Sequence, residues 1–296
     1  MTRYRLGVDS RIARPLTLAA AGVVAFGVVL VCAYFIGPIA RWDATALYGL
    51  ESLSVEHRWI WIIGDGLAHS VDLPWLMMGL LAVCGAGVLW GRKRQAVGAV
   101  VLVAVACLTS QLIKIAAAHP RYQPILLHQL PDTAFPSGHA TAAMSLALAA
   151  ALVAPSRWRV PTAIVGGSFV LAVSLALMIQ GWHFPSDVLA GLLISTTTSL
   201  LVLAGLRATG LRATGGIRSA AGAPLERRFP ARSLGVRALQ LLAITAALAV
   251  ALLVVTHPNA LTSYAATHTT GVIAAIGIAV ASISLVYAVT AELEAR

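Results

Sequence analysis

The sequence predicts an all-α, polytopic membrane helix bundle with a six-span core and two further C-terminal spans. Three observations predict it. Hydrophobic residues make up 59% of the 296 and charged residues only 11%. A soluble domain carries roughly a quarter charged residues, so polar groups are too few here to cover a water-facing surface. Apolar runs near the ~20 residues needed to cross a bilayer as a helix recur along the chain. Basic residues, finally, crowd into alternate segments between those runs, as membrane topology requires. Open sheet is excluded because lipid offers no partner for unpaired backbone groups, and the short alternating segments of a barrel do not appear.

The first run, 15–37, is too long for the apolar region of a signal peptide and lacks a clean small-residue cleavage site, so it reads as a retained anchor. Segment 38–72 is the longest outer loop. Its Trp42, Trp59 and Trp61, with Trp75 just beyond, fit the headgroup level that tryptophan favours. The alternation over 51–61 fits equally a short amphipathic helix lying on the outer face. Runs 73–90 and 97–116 pair across a short basic turn at 91–96. Run 139–154 is short and opens with polar residues. Run 161–179 follows the basic turn at 155–160, and 188–206 closes the core, residues 1–206. Residues 207–236 are rich in Arg, Ala and Gly, and the pentad Leu-Arg-Ala-Thr-Gly at 206–210 repeats at 211–215. Poor in bulky apolar residues, this segment reads as a basic cytoplasmic linker. The terminal unit, 237–296, carries runs 237–255 and 269–291, with almost no ionisable residue inside either.

The formal net charge is +10, and its placement decides its meaning. With the N-terminus inside, Arg3, Arg5, Arg11 and Arg14 fall on the inner side. So do Arg92, Lys93, Arg94, Arg157 and Arg159, the arginines from Arg207 to Arg237, and Arg296. Only Arg41, Arg58, Lys114 and Arg121 are left outside. This asymmetry predicts a multi-pass protein of the plasma (inner) membrane with both termini cytoplasmic, and anionic inner-leaflet lipid as a secondary partner. It excludes nucleic acid as a partner, since the arginines are dispersed over several loops without interleaved aromatics. Cys32, Cys84 and Cys107 lie inside apolar runs and form neither a disulfide framework nor a metal-type spacing.

Three polar groups fall at run ends on the predicted outer side, where ionisable residues raise a functional question. Lys114 and Arg121 leave the third run, Pro136, Ser137, Gly138 and His139 open the fourth, and His183 and Asp187 lie between the fifth and sixth. Each suits part of a phosphate site. Lys114 and Arg121 supply cations, and an arginine can fork onto two phosphate oxygens. Pro136 suits the first turn of a helix, Gly138 admits close approach of backbone N–H groups to an anion, and Ser137 adds a hydroxyl. His183 and Asp187 meet if their segment is helical. The carboxylate would then fix the imidazole tautomer and free the other nitrogen for attack, with His139 available to protonate the leaving oxygen. Taken singly, each group has a plainer reading: a snorkelling lysine, a headgroup arginine, an ordinary helix start, a metal or structural His–Asp pair. Hard-metal phosphatases need several carboxylates. Only Asp132 and Asp187 adjoin the motifs, and His119 and His128 show no ligand spacing, so no metal or other cofactor is expected.

In this order the motifs resemble the type-2 phosphatidic acid phosphatase superfamily of integral-membrane lipid phosphatases. The family pattern is Lys, six residues, Arg-Pro; then Pro-Ser-Gly-His; then Ser-Arg, five residues, His, three residues, Asp. Lys114 and Arg121 keep the first gap but are followed by Tyr122, Pro136 to His139 match the second motif completely, and His183 and Asp187 end the third. The Ser-Arg positions fall on Ala176 and Leu177, so one family cation is missing. Its loss is worth about 1.5–3 kcal/mol of charge-assisted hydrogen bonding, and Arg41 or Arg58 of the first outer loop are the candidates to replace it. The resemblance covers roughly 75–206. It implies a metal-independent phosphatase of lipid phosphate or polyprenyl (pyro)phosphate, a monoester or acid-anhydride hydrolase acting at the outer face. His183 would be the nucleophile of a phosphohistidine mechanism, oriented by Asp187. Lys114, Arg121, Ser137 and Gly138 would bind the phosphoryl oxygens, and His139 would be the acid and then the base. A lipid phosphotransferase using the same intermediate, or a catalytically weakened lipid-binding homologue, is the alternative that Leu177 leaves open. A transporter is disfavoured by the lack of an internal inverted repeat.

Overall fold

The computed structural model describes residues 2–123, 130–214 and 258–295, and among these every regular element is a helix. In chain order they are α1 (Thr2–Phe35), α2 (Gly37–Glu56), α3 (Arg58–His69), α4 (Leu73–Leu89), α5 (Lys93–Ala116) and α6 (Gly138–Val153). The series continues with α7 (Ser156–Ile179), α8 (Pro185–Thr214), α9 (Pro258–Thr267) and α10 (Thr269–Glu294). Arg11–Phe35 of α1, α5, α7, Pro185–Gly210 of α8, and α10 are each long and apolar enough to cross a membrane. Helices α3 and α4 qualify together as a pair bent by 59°. The expected run 237–255 lies outside the described residues.

Helix α6 explains why one span could be short. Its 16 residues rise only about 24 Å, less than the ~30 Å of a hydrocarbon core. Yet nearly all of it is buried, from Ala140 to Val153, and it packs against α4, α5, α7, α8 and α10. A helix apolar all round and enclosed by protein has no need to match the bilayer. Helix α8 approaches it closely at Gly191, where a Cβ would lie 2.6 Å from the Ser137 carbonyl oxygen and 2.9 Å from Thr141 Oγ1. Small residues permit this backbone contact, and Ser195 Oγ extends it by donating to the Thr141 carbonyl at 2.8 Å.

Segment 38–72, expected as an outer loop, is largely helical. It forms two helices that break at His57, inside the stretch 51–61 for which a short amphipathic helix is one of the two readings of the sequence. The Cα dihedrals of His57 (φ −130°, ψ 96°) are extended. Helix α2 starts on Pro38 in its first turn, as proline prefers, and buries Asp43, Leu47, Leu50, Glu51 and Ser54 along one stripe. That stripe, at helical spacing, faces the bundle: α2 packs on α10, α7 and α1. Two carboxylates among its buried positions are hard to read from hydropathy.

At the end of the bundle remote from α2, arginines tie the helices together, several of them at helix C-termini. Arg92 and Arg159 donate to the Ala154 carbonyl after α6, and Arg94 bonds Thr209 Oγ1 at 2.7 Å. Arg159 also donates to the Leu293 carbonyl at 2.8 Å. Arg207 donates to the carbonyls of Arg11 at 2.7 Å and Ala295 at 3.0 Å. The last turn of a helix leaves its carbonyls unpaired and carries partial negative charge, so cations belong there. Glu292 of α10, with its side chain 1% exposed, pairs with Arg14 at 2.6 Å and Arg207 at 3.7 Å. Helix α10 packs on α7, α2, α8 and α6.

Candidate active site

The opposite end of the bundle assembles the polar groups. Helix α7 ends in a Schellman turn. The Gly181 N–H donates to Met178 O at 3.1 Å, and the Trp182 N–H to Leu177 O at 3.0 Å, the 5→2 and 6→1 bonds of that motif. Gly181 takes φ +70°, and a Cβ there would also fall 2.5 Å from Glu51 Oε1, so this position needs glycine twice over. The turn delivers Trp182 and His183 to the site.

Helix α8 then starts with Pro185 at its first position and Asp187 at its third. The Phe184 N–H donates back to Asp187 Oδ2 at 3.0 Å, the reciprocal half of a capping box. His183 precedes the helix, so it meets Asp187 through this tight start rather than as an i,i+4 pair on a helical face. Its Nδ1 lies 3.6 Å from Asp187 Oδ2, buried and without a hydrogen bond. That is just beyond hydrogen-bonding range, near enough to tighten when a ligand binds.

The Pro-Ser-Gly-His segment also departs from expectation. Helix α6 begins at Gly138 with Ser137 as N-cap, whose Oγ accepts the Ala140 N–H at 3.3 Å. Pro136 therefore lies outside the helix instead of in its first turn. The segment is held from two sides: the Ser137 N–H donates to the Asp187 carbonyl at 2.9 Å, and buried Phe135 packs edge-on to Tyr34 of α1 at 5.5 Å. Lys114, in the last turn of α5, brings Nζ to 3.7 Å from where a Gly138 Cβ would stand. An ammonium thus faces the N-terminus of α6, with its free N–H groups and partial positive charge. The rings of His139 and His183 are 6.4 Å apart, centre to centre.

Arg121 is placed otherwise than the sequence reading supposed. Its side chain is 5% exposed. Nη1 donates to Asp187 Oδ1, and Nη2 donates to Asp43 Oδ2 at 2.6 Å and to Ser186 Oγ at 2.9 Å. The guanidinium stacks over Phe184 at 4.2 Å and Tyr34 at 5.2 Å. Burial opposes its charge, but the carboxylates of Asp187 and Asp43 more than compensate and hold its pKa above the ordinary arginine value. Asp43 also accepts the Ser186 N–H at 3.1 Å and the Ser186 hydroxyl at 2.5 Å. Burial pushes its carboxyl up, against the pull of Arg121. Arg121 is thus the counter-ion that keeps Asp187 in place beside His183.

Asp72, at the turn between α3 and α4, is a second residue that sequence reasoning missed. Its Oδ1 lies 3.1 Å from His139 Nε2 and its Oδ2 3.0 Å from His69 Nδ1. Partial desolvation opposes its ionisation, and the hydrogen bonds from the two histidines outweigh it, leaving its carboxyl below the usual aspartate range. Leu177, which stands where the family has Arg, is wholly buried in the apolar core. Arg41 and Arg58 are exposed. His119 is exposed and bonds the Pro120 carbonyl; His128 lies outside the described residues. Among the described residues no three His, Cys, Asp or Glu side chains gather as a metal ion would need.

These features agree with what the chain resembles. It is 28% identical over 170 residues to decaprenylphosphoryl-5-phosphoribose phosphatase from two strains of Mycobacterium tuberculosis, a match spanning 55% of this chain and 89% of that one. Its fold is similar to the crystal structure of a transmembrane PAP2-type phosphatidylglycerolphosphate phosphatase from Bacillus subtilis. The TM-score is 0.52 at 17% identity, covering 66% of this chain and 96% of the other. The sequence pattern of the PAP2 superfamily matches residues 19–209, which include all three motifs and the helices that carry them. The chain is an integral-membrane member of the PAP2 superfamily.

Proposed function

We propose that this protein hydrolyses a lipid phosphate, with a polyprenyl-phosphoryl lipid as the favoured substrate class, through a phosphohistidine on His183 and without metal. The observation that carries the reading is the meeting of two histidines around one small space. His183 stands against Asp187 and His139 against Asp72 (3.6 Å and 3.1 Å), with Lys114 beside Gly138. With Nδ1 turned toward Asp187, His183 presents Nε2 to phosphorus. Lys114, the Gly138 N–H and the Ser137 hydroxyl stabilise charge on the equatorial oxygens. His139 protonates the departing oxygen and then takes a proton from the water that cleaves the P–N bond. Arg121 serves as counter-ion to Asp187, with any contact to phosphate made through reorganisation. The named substrate of the mycobacterial relatives favours a polyprenyl chain. The inner-end arginines favour placing the site at the outer face, because the helices that carry the motifs run from one end of the bundle to the other.

The test is phosphate release from a panel of lipid phosphates by the detergent-purified protein, with and without chelator, alongside His183→Ala. Activity that persists in chelator and vanishes in His183→Ala supports the reading. Undiminished release by His183→Ala, or complete loss in chelator restored by a divalent cation, overturns it. Phosphate appearing on an added lipid alcohol instead of free would reassign the protein as a phosphotransferase, the alternative that Leu177 keeps open.

A further inference from the structure

The α3–α4 turn carries groups that no motif includes. His139 Nε2, Asp72 and His69 form an unbroken series through the two oxygens of one carboxylate, at 3.1 Å and 3.0 Å, and His69 Nε2 lies 3.5 Å from Asp65 Oδ1. Side-chain exposure rises from 30% at His139 to 40% at Asp72 and 50% at His69. The Trp182 ring packs on both imidazoles, 5.7 Å from His139 and 5.1 Å from His69, and Trp182 adjoins His183 in the chain. One side of the His139 ring is therefore fixed by a carboxylate that is itself fixed by a second histidine.

An imidazolium has two N–H groups. Held at Nε2 by Asp72, His139 keeps Nδ1–H for another acceptor, and its ring plane is set by the carboxylate and by Trp182. This repeats, around the second histidine, what Asp187 does for His183. We propose that Asp72 is the positioning residue of His139, anchored by His69, and that it matters for expelling poor leaving groups. The proposal rests on the phosphatase reading above. In the first half-reaction His183 Nε2 bonds to phosphorus, the ester P–O bond breaks with its electron pair on the leaving oxygen, and that oxygen takes the His139 proton. In the second, a water oxygen bonds to phosphorus, the P–N electron pair returns to His183, and the water proton restores His139. Asp72 itself gains and loses no proton. Lys114 and His183 are the other charged or titratable groups facing His139, and neither offers it a carboxylate.

The leaving group separates positioning from general damage. Expelling an alkoxide needs a proton from His139, whereas 4-nitrophenolate leaves without one. The experiment measures kcat/KM for dodecyl phosphate and 4-nitrophenyl phosphate in detergent micelles, in wild type, Asp72→Asn, His139→Gln and the double variant. General acid catalysis supplies ~10²–10⁴-fold, so Asp72→Asn is expected to lower the dodecyl value about tenfold to a hundredfold and the nitrophenyl value about tenfold less than that. Adding Asp72→Asn to His139→Gln should change neither value further, since the coupling acts through one residue. His69→Gln, which removes only the outer anchor, should show the same discrimination more weakly. Equal losses on both probes, no loss on either, or an undiminished Asp72→Asn effect in the His139→Gln background would overturn the proposal. His183→Ala reports on the parent reading: it should abolish both probes alike. If it does not, or if the wild type turns over neither, the phosphatase reading fails and takes this one with it.

Discussion

The sharpest consequence of the buried ion cluster concerns Asp43. Changing it to Asn keeps the shape and removes the charge. Its two oxygens accept from Arg121 Nη2 at 2.6 Å, Ser186 Oγ at 2.5 Å and the Ser186 N–H at 3.1 Å. An amide keeps one acceptor oxygen and turns its NH₂ toward these donors. A charge-assisted hydrogen bond nets about 1.5–3 kcal/mol, and breaking a buried ion pair costs about 3–5 kcal/mol. The lower part of that range applies, because Asp187 still balances Arg121 and because neutralisation relieves the desolvation that pushes the Asp43 carboxyl up. The expected destabilisation is about 2–3 kcal/mol, or about 5–10 °C in apparent unfolding temperature. The assay is thermal unfolding of detergent-purified protein followed by a thiol-reactive dye, since Cys32, Cys84 and Cys107 are free and half-buried. Arg121→Met should destabilise less in the Asp43→Asn background than alone, because one buried carboxylate fewer is left unpaired. An unshifted unfolding temperature for Asp43→Asn, or strictly additive effects, would refute the view that Asp43 holds Arg121 and through it the Asp187 carboxylate.

Gly138→Ala adds a Cβ in ordinary contact with Gln111 Nε2 (3.5 Å) and Lys114 Nζ (3.7 Å). The protein should fold normally and show KM raised about tenfold, since the methyl occupies the space before the α6 N-terminus; an unchanged KM would remove Gly138 from the phosphate cradle. Gly191→Ala instead meets backbone at 2.6 Å, which cannot yield, so α8 must move off α6. It should lower the unfolding temperature and activity together, and a variant as stable and active as wild type would contradict the close approach. Glu292→Gln cuts the pairs with Arg14 and Arg207 at the end of the bundle remote from the site. It should lower the unfolding temperature by several degrees, about 1–3 kcal/mol, with kcat/KM unchanged; a matching loss of activity would refute the separation of the two ends.

Much of this molecule is legible in its sequence because hydropathy and arginine placement respond to the solvent alone. Lipid demands helices of a given length, and the runs 15–37, 97–116, 161–179, 188–206 and 269–291 fall on α1, α5, α7, α8 and α10, although α1 starts earlier, at Thr2, and α8 continues to Thr214, into the expected linker. The motif residues were legible too, since Lys114, His139, His183 and Asp187 stand at helix ends where few polar residues belong. Asp43 and Asp72 were not. Both sit in the segment 38–72, where polar residues are unremarkable in a row of letters and only packing tells a buried carboxylate from a solvated one. The role of Arg121 was hidden for the same reason: spacing places a cation near the site, but whether it meets phosphate or carboxylate depends on what a distant helix brings. The short α6 is the converse case, where tertiary enclosure relaxed a length rule that lipid would have imposed. Solvent preference is a property of each segment and is written locally. Charge pairing among Asp43 of α2, Arg121 and Asp187 of α8 requires three parts of the chain to converge, and only the folded bundle makes that choice.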